Sequence, residues 1–219
     1  MSELYERITT SFFLLLVIFF SFLNFKLLSF FLFILTFFTL VELHNIFKKI
    51  YRKNLFLQFI ANFLSVLYLS YFSLTILIFL SESFIIDKFA VIYLLIICIL
   101  TDIGGYVFGK TIGGKKLTKI SPNKTYSGSI GSFLSSILIG YLCYKIIGNL
   151  LLINLNILIL IIITSFISQV GDLFVSLLKR KAKIKDTGSI LPGHGGVLDR
   201  IDGILFALPI GLLIIKMYS

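Results

Sequence analysis

The chain has few of the charged side chains that soluble proteins use to cover their surface. Of its 219 residues only 14% are charged, whereas 58% are hydrophobic, and the mean hydropathy is +1.05. These values exclude a soluble globular domain. Apolar runs long enough to cross about 30 Å of hydrocarbon recur along the chain, and such runs cross a membrane as helices. The composition therefore predicts an all-α, polytopic membrane protein.

Cysteine and histidine are scarce, with two residues of each type. Cys98 and Cys143 both fall inside apolar runs, which excludes a disulfide framework and a cysteine metal motif. His44 lies in a basic loop, where we expect it to be solvated or at the membrane interface. The cysteines are therefore expected to act as small hydrophobic side chains.

Acidic residues are also few, since 10 Asp and Glu stand against 20 Lys and Arg, for a net charge of +10. In a soluble protein this excess would suggest nucleic acid as a partner. Membrane proteins, however, keep Lys and Arg on the cytoplasmic side. Topology therefore explains most of the charge, no nucleic-acid partner is expected, and a second role in holding phosphates stays open.

About seven transmembrane helices are predicted, at roughly residues 9–24, 27–41, 56–80, 87–109, 128–147, 151–178 and 203–217. With the amino terminus in the cytoplasm, sixteen of the twenty Lys and Arg residues lie inside, and Lys26, Lys88, Lys145 and Lys216 lie outside. This bias follows the positive-inside rule and places the carboxyl terminus outside. No small-residue cleavage site follows the first apolar run, so we expect a span there and not a signal peptide.

The first three predicted spans carry no charged residue, whereas each of the last four does. Residues 1–85 are interpreted as an amino-terminal scaffold, and its three spans are expected to carry no buried ionisable group and to contact lipid. Residues 86–219 are interpreted as a catalytic transmembrane domain with cytoplasmic loops at 110–127 and 179–202.

Asp102 is placed on an apolar helix, near its inner end. A carboxylate at membrane depth costs about 2.5–3.5 kcal/mol on insertion scales and usually serves a function. The alternative, a helix-end residue already at the interface, stays open. The next loop carries Ser121, Lys124 and Thr125, groups suited to phosphate, without a Walker A sequence. The span after it repeats small residues at every fourth position, which predicts close helix packing: Gly128, Ser132, Ser136 and Gly140.

The sixth predicted span carries polar residues at steps of three or four, so that they share one helix face: Ser165, Ser168, Asp172, Ser176 and Lys179. A polar face that runs down a membrane helix toward a basic loop is typical of the wall of a water-accessible cavity. Asp172 is the charge of this face within the predicted bilayer, and we predict a functional role for it.

The longest polar run of the chain, from Ser176 to Asp202, follows directly. It combines cations, carboxylates, a histidine and glycines: Lys179, Arg180, Lys181, Lys183, Lys185, Arg200, Asp186, Asp199, Asp202, His194, Gly193, Gly195 and Gly196. Two of these aspartates, with Asp172, offer hard oxygen ligands that suit Mg²⁺ and do not suit zinc. Carboxylates for a divalent metal, beside many cations and a glycine-bounded loop, point to phosphoryl or nucleotidyl transfer. A soluble nucleotide and a lipid reactant would explain such a site at the inner surface.

Two segments of the chain form extended motifs. The first is Ser176-x-x-Lys179-Arg180, then Lys185-Asp186-x-Gly188, then Pro192-x-His194-Gly195-Gly196-x-x-Asp199-Arg200-x-Asp202. The second is Ser121-Pro122-x-Lys124-Thr125, preceded by Asp102-x-x-x-Tyr106-x-x-Gly109. Together they resemble the signature of the phosphatidate cytidylyltransferase family, the CDP-diacylglycerol synthases, from about residue 100 to 203. Before these segments only apolar character and Glu42 are shared.

The chain departs from the family in two ways. The family usually has Lys-Thr-Trp-Glu-Gly where this chain has Lys124-Thr125-Tyr126-Ser127-Gly128. Because Ser127 lacks a carboxylate, no role of that Glu is carried over. The chain is also short for the family, from which we expect fewer amino-terminal spans and a complete site.

The resemblance implies that the chain transfers the cytidylyl group of CTP to phosphatidate, with CDP-diacylglycerol and pyrophosphate as products. Catalytic roles would fall to Asp172, Asp199, Lys185 and Arg200. Substrate binding would fall to Ser121, Lys124, Thr125, Lys179, Arg180, His194, Gly195 and Gly196. The expected metal is Mg²⁺ on Asp172, Asp199 and Asp202, and a second, monovalent cation is left open. Asp102 and Asp186 are candidates of second rank.

The resemblance also implies a setting. We expect an integral protein of a bacterial inner membrane, in contact with the lipid bilayer, with its active site on the cytoplasmic side. CTP and phosphatidate are the expected partners, and a homodimer is left open.

Two other functions would use similar cations and carboxylates. A CTP-dependent lipid kinase would transfer the γ-phosphoryl group instead of the cytidylyl group. An anion transporter, a different class of protein, would also explain a cationic cavity with an intramembrane aspartate. A transporter would be expected to have repeated halves, whereas the polar features of this chain lie in its second half.

Overall fold

The fold was analysed in a computed structural model, which describes residues 24–81, 85–147, 156–190 and 195–218. Six α-helices follow one another: α1 (Phe25–Ile50), α2 (Leu55–Ser81), α3 (Ile85–Thr111), α4 (Tyr126–Ile147), α5 (Ile157–Lys181) and α6 (Leu198–Tyr218). Within those ranges there is no β-strand, and an isolated antiparallel bridge joins Lys116 and Thr125. The prediction of an all-α protein is confirmed.

Five helices are long and apolar enough to cross a membrane: Phe25–Ile50, Leu55–Ser81, Lys88–Thr111, Tyr126–Ile146 and Ile157–Lys181. The protein is therefore a polytopic membrane protein, as predicted. The last helix, α6, covers the predicted span 203–217 but is not among the five. The predicted span 9–24 lies outside the described residues, so the count of seven and the orientation stay predictions.

Helix α1 begins and ends where its sequence supplies caps. The side chain of Asn24 accepts a hydrogen bond of 2.9 Å from the backbone N–H of Lys26 at the first turn. Lys48 and Lys49 lie in the last turn, where positive charge interacts favourably with the helix dipole. The helix continues to Ile50, so the predicted end of this span at residue 41 is too early.

The chain divides into two compact units. The first unit consists of Met1–Ser81 and Leu178–Ile201, and the second consists of Glu82–Leu177 and Asp202–Ser219. The first unit thus combines the predicted scaffold with most of the polar run. The functional division into a scaffold and a catalytic domain stays a prediction.

In the second unit, α3 and α4 approach closely through small residues. A Cβ added to Gly104 would lie 1.9 Å from Ser135 Oγ and 2.6 Å from the carbonyl oxygen of Gly131. Ser132 Oγ donates a 2.7 Å hydrogen bond to the carbonyl of Thr101, across the two helices. The predicted packing role of the small residues in α4 is confirmed at this contact.

In the first unit, the expectation that the first three spans carry no buried ionisable group is wrong. Glu42 lies in α1 and is only 1% exposed. The helix continues past the predicted boundary at residue 41, and Thr187, Val197 and Leu198 donate hydrogen bonds to the carboxylate.

Candidate active site

A cavity of about 310 Å³ opens in the second unit, between the loop that follows α3 and the helices α3, α4 and α5. Its wall includes polar side chains from all of these elements: Asp102, Ser121, Asn123, Lys124, Thr125, Ser129, Gln169 and Asp172. Three predicted substrate-binding residues and two predicted functional aspartates therefore share one cavity. The aromatic ring of Tyr106 also lines it.

Backbone geometry shapes the loop after α3. Gly113 and Gly114 adopt positive φ angles of 63° and 106°, a region that glycine enters without strain, and this turns the chain back on itself. The returning segment pairs with the outgoing one through the bridge between Lys116 and Thr125 and a 2.8 Å hydrogen bond from Leu117 N to the carbonyl of Lys124. The result is a short hairpin that places Lys124 beside the cavity.

Ser127 occupies the position where the resembled family usually has glutamate. Its hydroxyl donates a hydrogen bond to the carbonyl of Gly113 and lies 2.9 Å from the hydroxyl of Thr125. Thr125 Oγ1 in turn accepts a 3.0 Å hydrogen bond from the N–H of Gly128 and so caps α4. In this chain the substituted position therefore ties the hairpin to the start of α4.

An ion pair joins the hairpin to α5. The ammonium group of Lys124 contacts Asp172 Oδ2, and both side chains are 27% exposed. The hydroxyl of Ser176, one turn later, lies 3.4 Å from Asp172 Oδ1. Two residues that the sequence assigned to separate roles therefore form a direct pair in the wall of the cavity.

A second carboxyl group adjoins this pair. Asp202, in α6, approaches Asp172 closely enough for a hydrogen bond between their side chains. Its Oδ1 also accepts a 2.9 Å hydrogen bond from the N–H of Gly203. Two carboxyl groups that face each other, with one ammonium group beside them, form a donor set that suits a hard divalent cation.

The metal assignment itself stays a prediction. Among the described residues, no group of three or more His, Cys, Asp or Glu side chains is placed to hold a metal ion. Asp172 and Asp202 lie together in the second unit, whereas Asp199 belongs to the first unit. The described geometry thus brings together two of the three predicted ligands.

The polar face of α5 only partly lines the cavity, which corrects the predicted cavity wall. Ser165 and Ser168 are buried in helix contacts, where Ser165 Oγ accepts a 2.9 Å hydrogen bond from Thr101. A Cβ on Gly203 would lie 2.4 Å from Ser168 Oγ, so the small serine lets α6 approach α5. Gln169 and Asp172 reach the cavity, and Gln169 accepts a 2.6 Å hydrogen bond from Ser129.

In the first unit, Lys179 and Asp199 form a second ion pair. Lys179 Nζ lies 2.7 Å from Asp199 Oδ1, with side chains 18% and 9% exposed. Asp199 Oδ2 accepts hydrogen bonds from the N–H groups of Thr187, at 2.8 Å, and Gly196, at 3.1 Å. Burial alone would raise the pKa of Asp199, but these hydrogen bonds outweigh it and hold the pKa below its ordinary value.

Glu42 extends this network and was missed as a site residue. Its Oε2 accepts hydrogen bonds from Thr187 Oγ1, at 2.7 Å, and Leu198 N, at 2.9 Å, while Oε1 accepts one of 2.8 Å from Val197 N. The signal was present in the sequence, because Glu42 is the single carboxylate of the apolar helix α1. The cost of a carboxylate at membrane depth, which singled out Asp102, applies equally to it.

The remaining predicted site residues lie in the first unit. Arg180, Lys185, Asp186 and Arg200 are exposed, and Gly196 is buried. Gly195 has a positive φ of 83°, and a Cβ there would lie 3.1 Å from Asp199 Oδ2. His194 lies outside the described residues.

Known proteins resemble this chain over much of its length. The family model of the cytidylyltransferase family matches residues 3–218. The phosphatidate cytidylyltransferase of Staphylococcus haemolyticus (strain JCSC1435) is 42% identical over 132 residues, which cover 58% of this chain and 49% of the relative. That of Bacillus subtilis (strain 168) is 36% identical over 138 residues, 61% of this chain and 51% of the relative. That of Staphylococcus aureus (strain COL) is 43% identical over 124 residues, 55% of this chain and 46% of the relative.

The chain thus spans about half the length of the curated relatives that it matches. The match to the family model is broader, since it includes the cavity of the second unit and the hydrogen-bonded network of the first. On this evidence the chain belongs to the cytidylyltransferase family.

Proposed function

We propose that the chain transfers the cytidylyl group of CTP to phosphatidate and so forms CDP-diacylglycerol and pyrophosphate. The observation that carries the proposal is the polar cavity of the second unit, where Lys124 and Asp172 meet within an otherwise apolar helical protein. Membership of the cytidylyltransferase family and the names of the relatives, phosphatidate cytidylyltransferases, support the same reaction.

The reaction needs little covalent help from the protein. A phosphate oxygen of phosphatidate attacks the α-phosphorus of CTP, and the bond from that phosphorus to the oxygen bridging to the β-phosphorus breaks. Pyrophosphate leaves with the electron pair. The phosphatidate dianion is already nucleophilic, so no general base is required, and positioning and charge neutralisation dominate catalysis.

The cavity supplies groups for both tasks. The ammonium of Lys124 is held by Asp172 in a partly buried position, where its charge acts more strongly on a phosphate than it would in water. Ser121 and Asn123, in the same hairpin, offer a hydroxyl and an amide to phosphate oxygens. We propose that this hairpin holds the triphosphate and that Lys124 offsets the charge of the departing pyrophosphate.

Asp172 and Asp202 are the proposed ligands of a Mg²⁺ ion, because their carboxyl groups face each other and suit a hard cation. When bound, Mg²⁺ would supply further positive charge to the phosphates. We propose that the ion pair of Lys179 and Asp199, in the first unit, also contributes to turnover. The variant Asp199→Asn tests this role, and we expect it to lose nearly all product formation per folded protein.

The proposed setting follows from the reactants. Phosphatidate resides in the bilayer and CTP is soluble, so the reaction takes place at a membrane surface. We propose the cytoplasmic face of the bacterial plasma membrane, where CTP is present, in line with the excess of Lys and Arg assigned to that side.

The test uses the full chain, purified in detergent and supplied with Mg²⁺, CTP and phosphatidate, with lipid products identified by mass spectrometry. CDP-diacylglycerol is expected, and label from the α-phosphate of CTP is expected to enter the lipid. Label entering from the γ-phosphate would instead establish a lipid kinase. A wild-type chain that is folded but forms no CDP-diacylglycerol would refute the proposal.

A further inference from the structure

The carboxylate of Glu42 accepts hydrogen bonds from groups that stand 145 to 156 residues later in the chain. Three donors reach its two oxygens, at 2.7 to 2.9 Å: the hydroxyl of Thr187 and the N–H groups of Val197 and Leu198. Leu198 is the first residue of α6, so the negative charge lies at the positive end of that helix. A residue of α1 therefore caps α6 in the way that a local Asp or Ser usually caps a helix.

Thr187 connects this cap to the Lys179–Asp199 pair. Its hydroxyl lies 2.7 Å from Glu42 Oε2 and 3.0 Å from Asp199 Oδ2, so one hydrogen serves two carboxylates. Its backbone N–H donates to the same oxygen of Asp199. A shift of Thr187 therefore changes the position of both carboxylates.

The contact between Glu42 and the residues that bind it is tightly packed. A Cβ on Gly196 would lie 2.0 Å from Thr187 Oγ1 and 2.6 Å from Glu42 Oε2, and one on Gly188 would lie 2.8 Å from Glu42 Oε1. Neither glycine position therefore has room for a side chain beside Glu42. The motif glycine Gly196 thus admits the Glu42 carboxylate, in addition to its N–H bond to Asp199.

We propose that Glu42 is a positioning residue for turnover, which holds Thr187, Val197 and Leu198 against α1 and thereby orients Asp199 and Lys179. This inference rests on the proposed cytidylyl transfer, because the role of the Lys179–Asp199 pair depends on it. Glu42 itself is buried and needs no contact with a substrate. Its effect is transmitted through Thr187 and through the start of α6.

The primary variant is Glu42→Gln, which keeps the shape of the side chain and removes its charge. The amide group of glutamine turns one accepting oxygen into a donor, so at least one of the three donors loses its partner. We expect kcat/KM for CTP, per folded protein, to fall by about tenfold to a hundredfold, since small displacements of reacting groups are costly. Thr39→Val is the matched control: Thr39 is also buried in α1, but its hydroxyl donates to the carbonyl of Leu35, in the same helix.

A double-mutant cycle separates positioning from a general loss of folded protein. Thr187→Val removes the linking hydroxyl but keeps the buried carboxylate, so it tests the same link even where Glu42→Gln does not fold. If Glu42 acts through Thr187, the double variant loses no more activity than the more impaired single variant. Thr187→Ser keeps the hydroxyl and is expected to restore kcat/KM to within about threefold of wild type.

Amide hydrogen exchange gives a readout that does not depend on activity. In Glu42→Gln the peptides that cover residues 187–198 are expected to exchange at least about tenfold faster, while peptides of α4 keep their wild-type rates. Wild-type kcat/KM in Glu42→Gln, losses that multiply in the double variant, or unchanged exchange in residues 187–198 would each overturn the inference. A wild-type chain that forms no CDP-diacylglycerol would refute the proposed function instead, and the exchange rates would still decide whether Glu42 holds the loop.

Discussion

The ion pair of Lys124 and Asp172 leads to a prediction about two variants. Removing both charges should restore stability but not turnover. Asp172→Asn leaves the ammonium group of Lys124 without its counter-ion in the wall of the cavity. A fully buried pair that loses one partner costs about 3–5 kcal/mol, whereas an exposed pair is worth about 0.2–1 kcal/mol. Both side chains are 27% exposed, so the free energy that this pair contributes lies between these two limits. We expect a loss of about 2 kcal/mol, discounted for solvent screening.

The double variant Lys124→Met/Asp172→Asn removes both charges and leaves neither uncompensated. It is expected to recover most of the lost stability, because a buried pair replaced as a whole is close to neutral. For a chain of this size, the single variant should lower the thermal midpoint by about 4–8 °C and the double variant by much less. Turnover should be nearly abolished in both, because the proposed mechanism uses the charges themselves.

The assay combines thermal unfolding in detergent with formation of CDP-diacylglycerol per folded protein. Lys119→Met serves as the control, since it makes the same substitution at an exposed lysine of the same hairpin and should change neither quantity by much. A double variant that regained wild-type turnover together with its stability would refute the reasoning. The pair would then be a structural link and not part of the chemistry.

Three further predictions concern packing, the first basic loop and the substituted family position. Gly104→Ala should cost about 1–3 kcal/mol, because its Cβ would lie 1.9 Å from Ser135 Oγ. Gly140→Ala, whose Cβ would meet nothing closer than 3.5 Å, should be neutral or stabilising, and comparable midpoints for the two variants would contradict this account of the α3–α4 contact. Lys48→Ala should leave kcat and KM unchanged, and a large loss in the same assay would give the first basic loop a role in turnover. Ser127→Ala should lower the free energy of unfolding by about 1 kcal/mol and raise KM for CTP, because the hairpin loses a hydrogen bond. An unchanged KM would show that this hydrogen bond does not position the hairpin for CTP.

Much of the fold could be predicted because the membrane constrains it so strongly. Hydropathy locates helices when unsatisfied backbone groups cannot be exposed to lipid. It locates helix ends less well: α1 continues to Ile50, since a helix keeps its backbone hydrogen bonds beyond the end of an apolar stretch. The drop in hydropathy at Glu42 indicated the end of an apolar stretch and not the end of a helix.

The site was predictable where its residues lie in motifs and less so where it depends on long-range contacts. Sequence patterns selected Lys124 and Asp172, but not the fact that they pair. The contact of Glu42 with Thr187 joins segments 145 residues apart, and no periodicity encodes it. Ser165 and Ser168 share a polar face with Asp172, yet serine also serves close helix packing, and the pattern does not distinguish the two uses.

The link between Glu42 and the start of α6 has a consequence for how the protein is made. The donors of Glu42 follow it by 145 to 156 residues, and at about 5–20 residues per second a ribosome needs roughly 7–30 s to supply them. During that interval α1 has already been synthesised, and Glu42 has none of these donors to satisfy its carboxyl group. A chain that stops before Thr187 therefore lacks all three groups that donate hydrogen bonds to Glu42 in the folded protein.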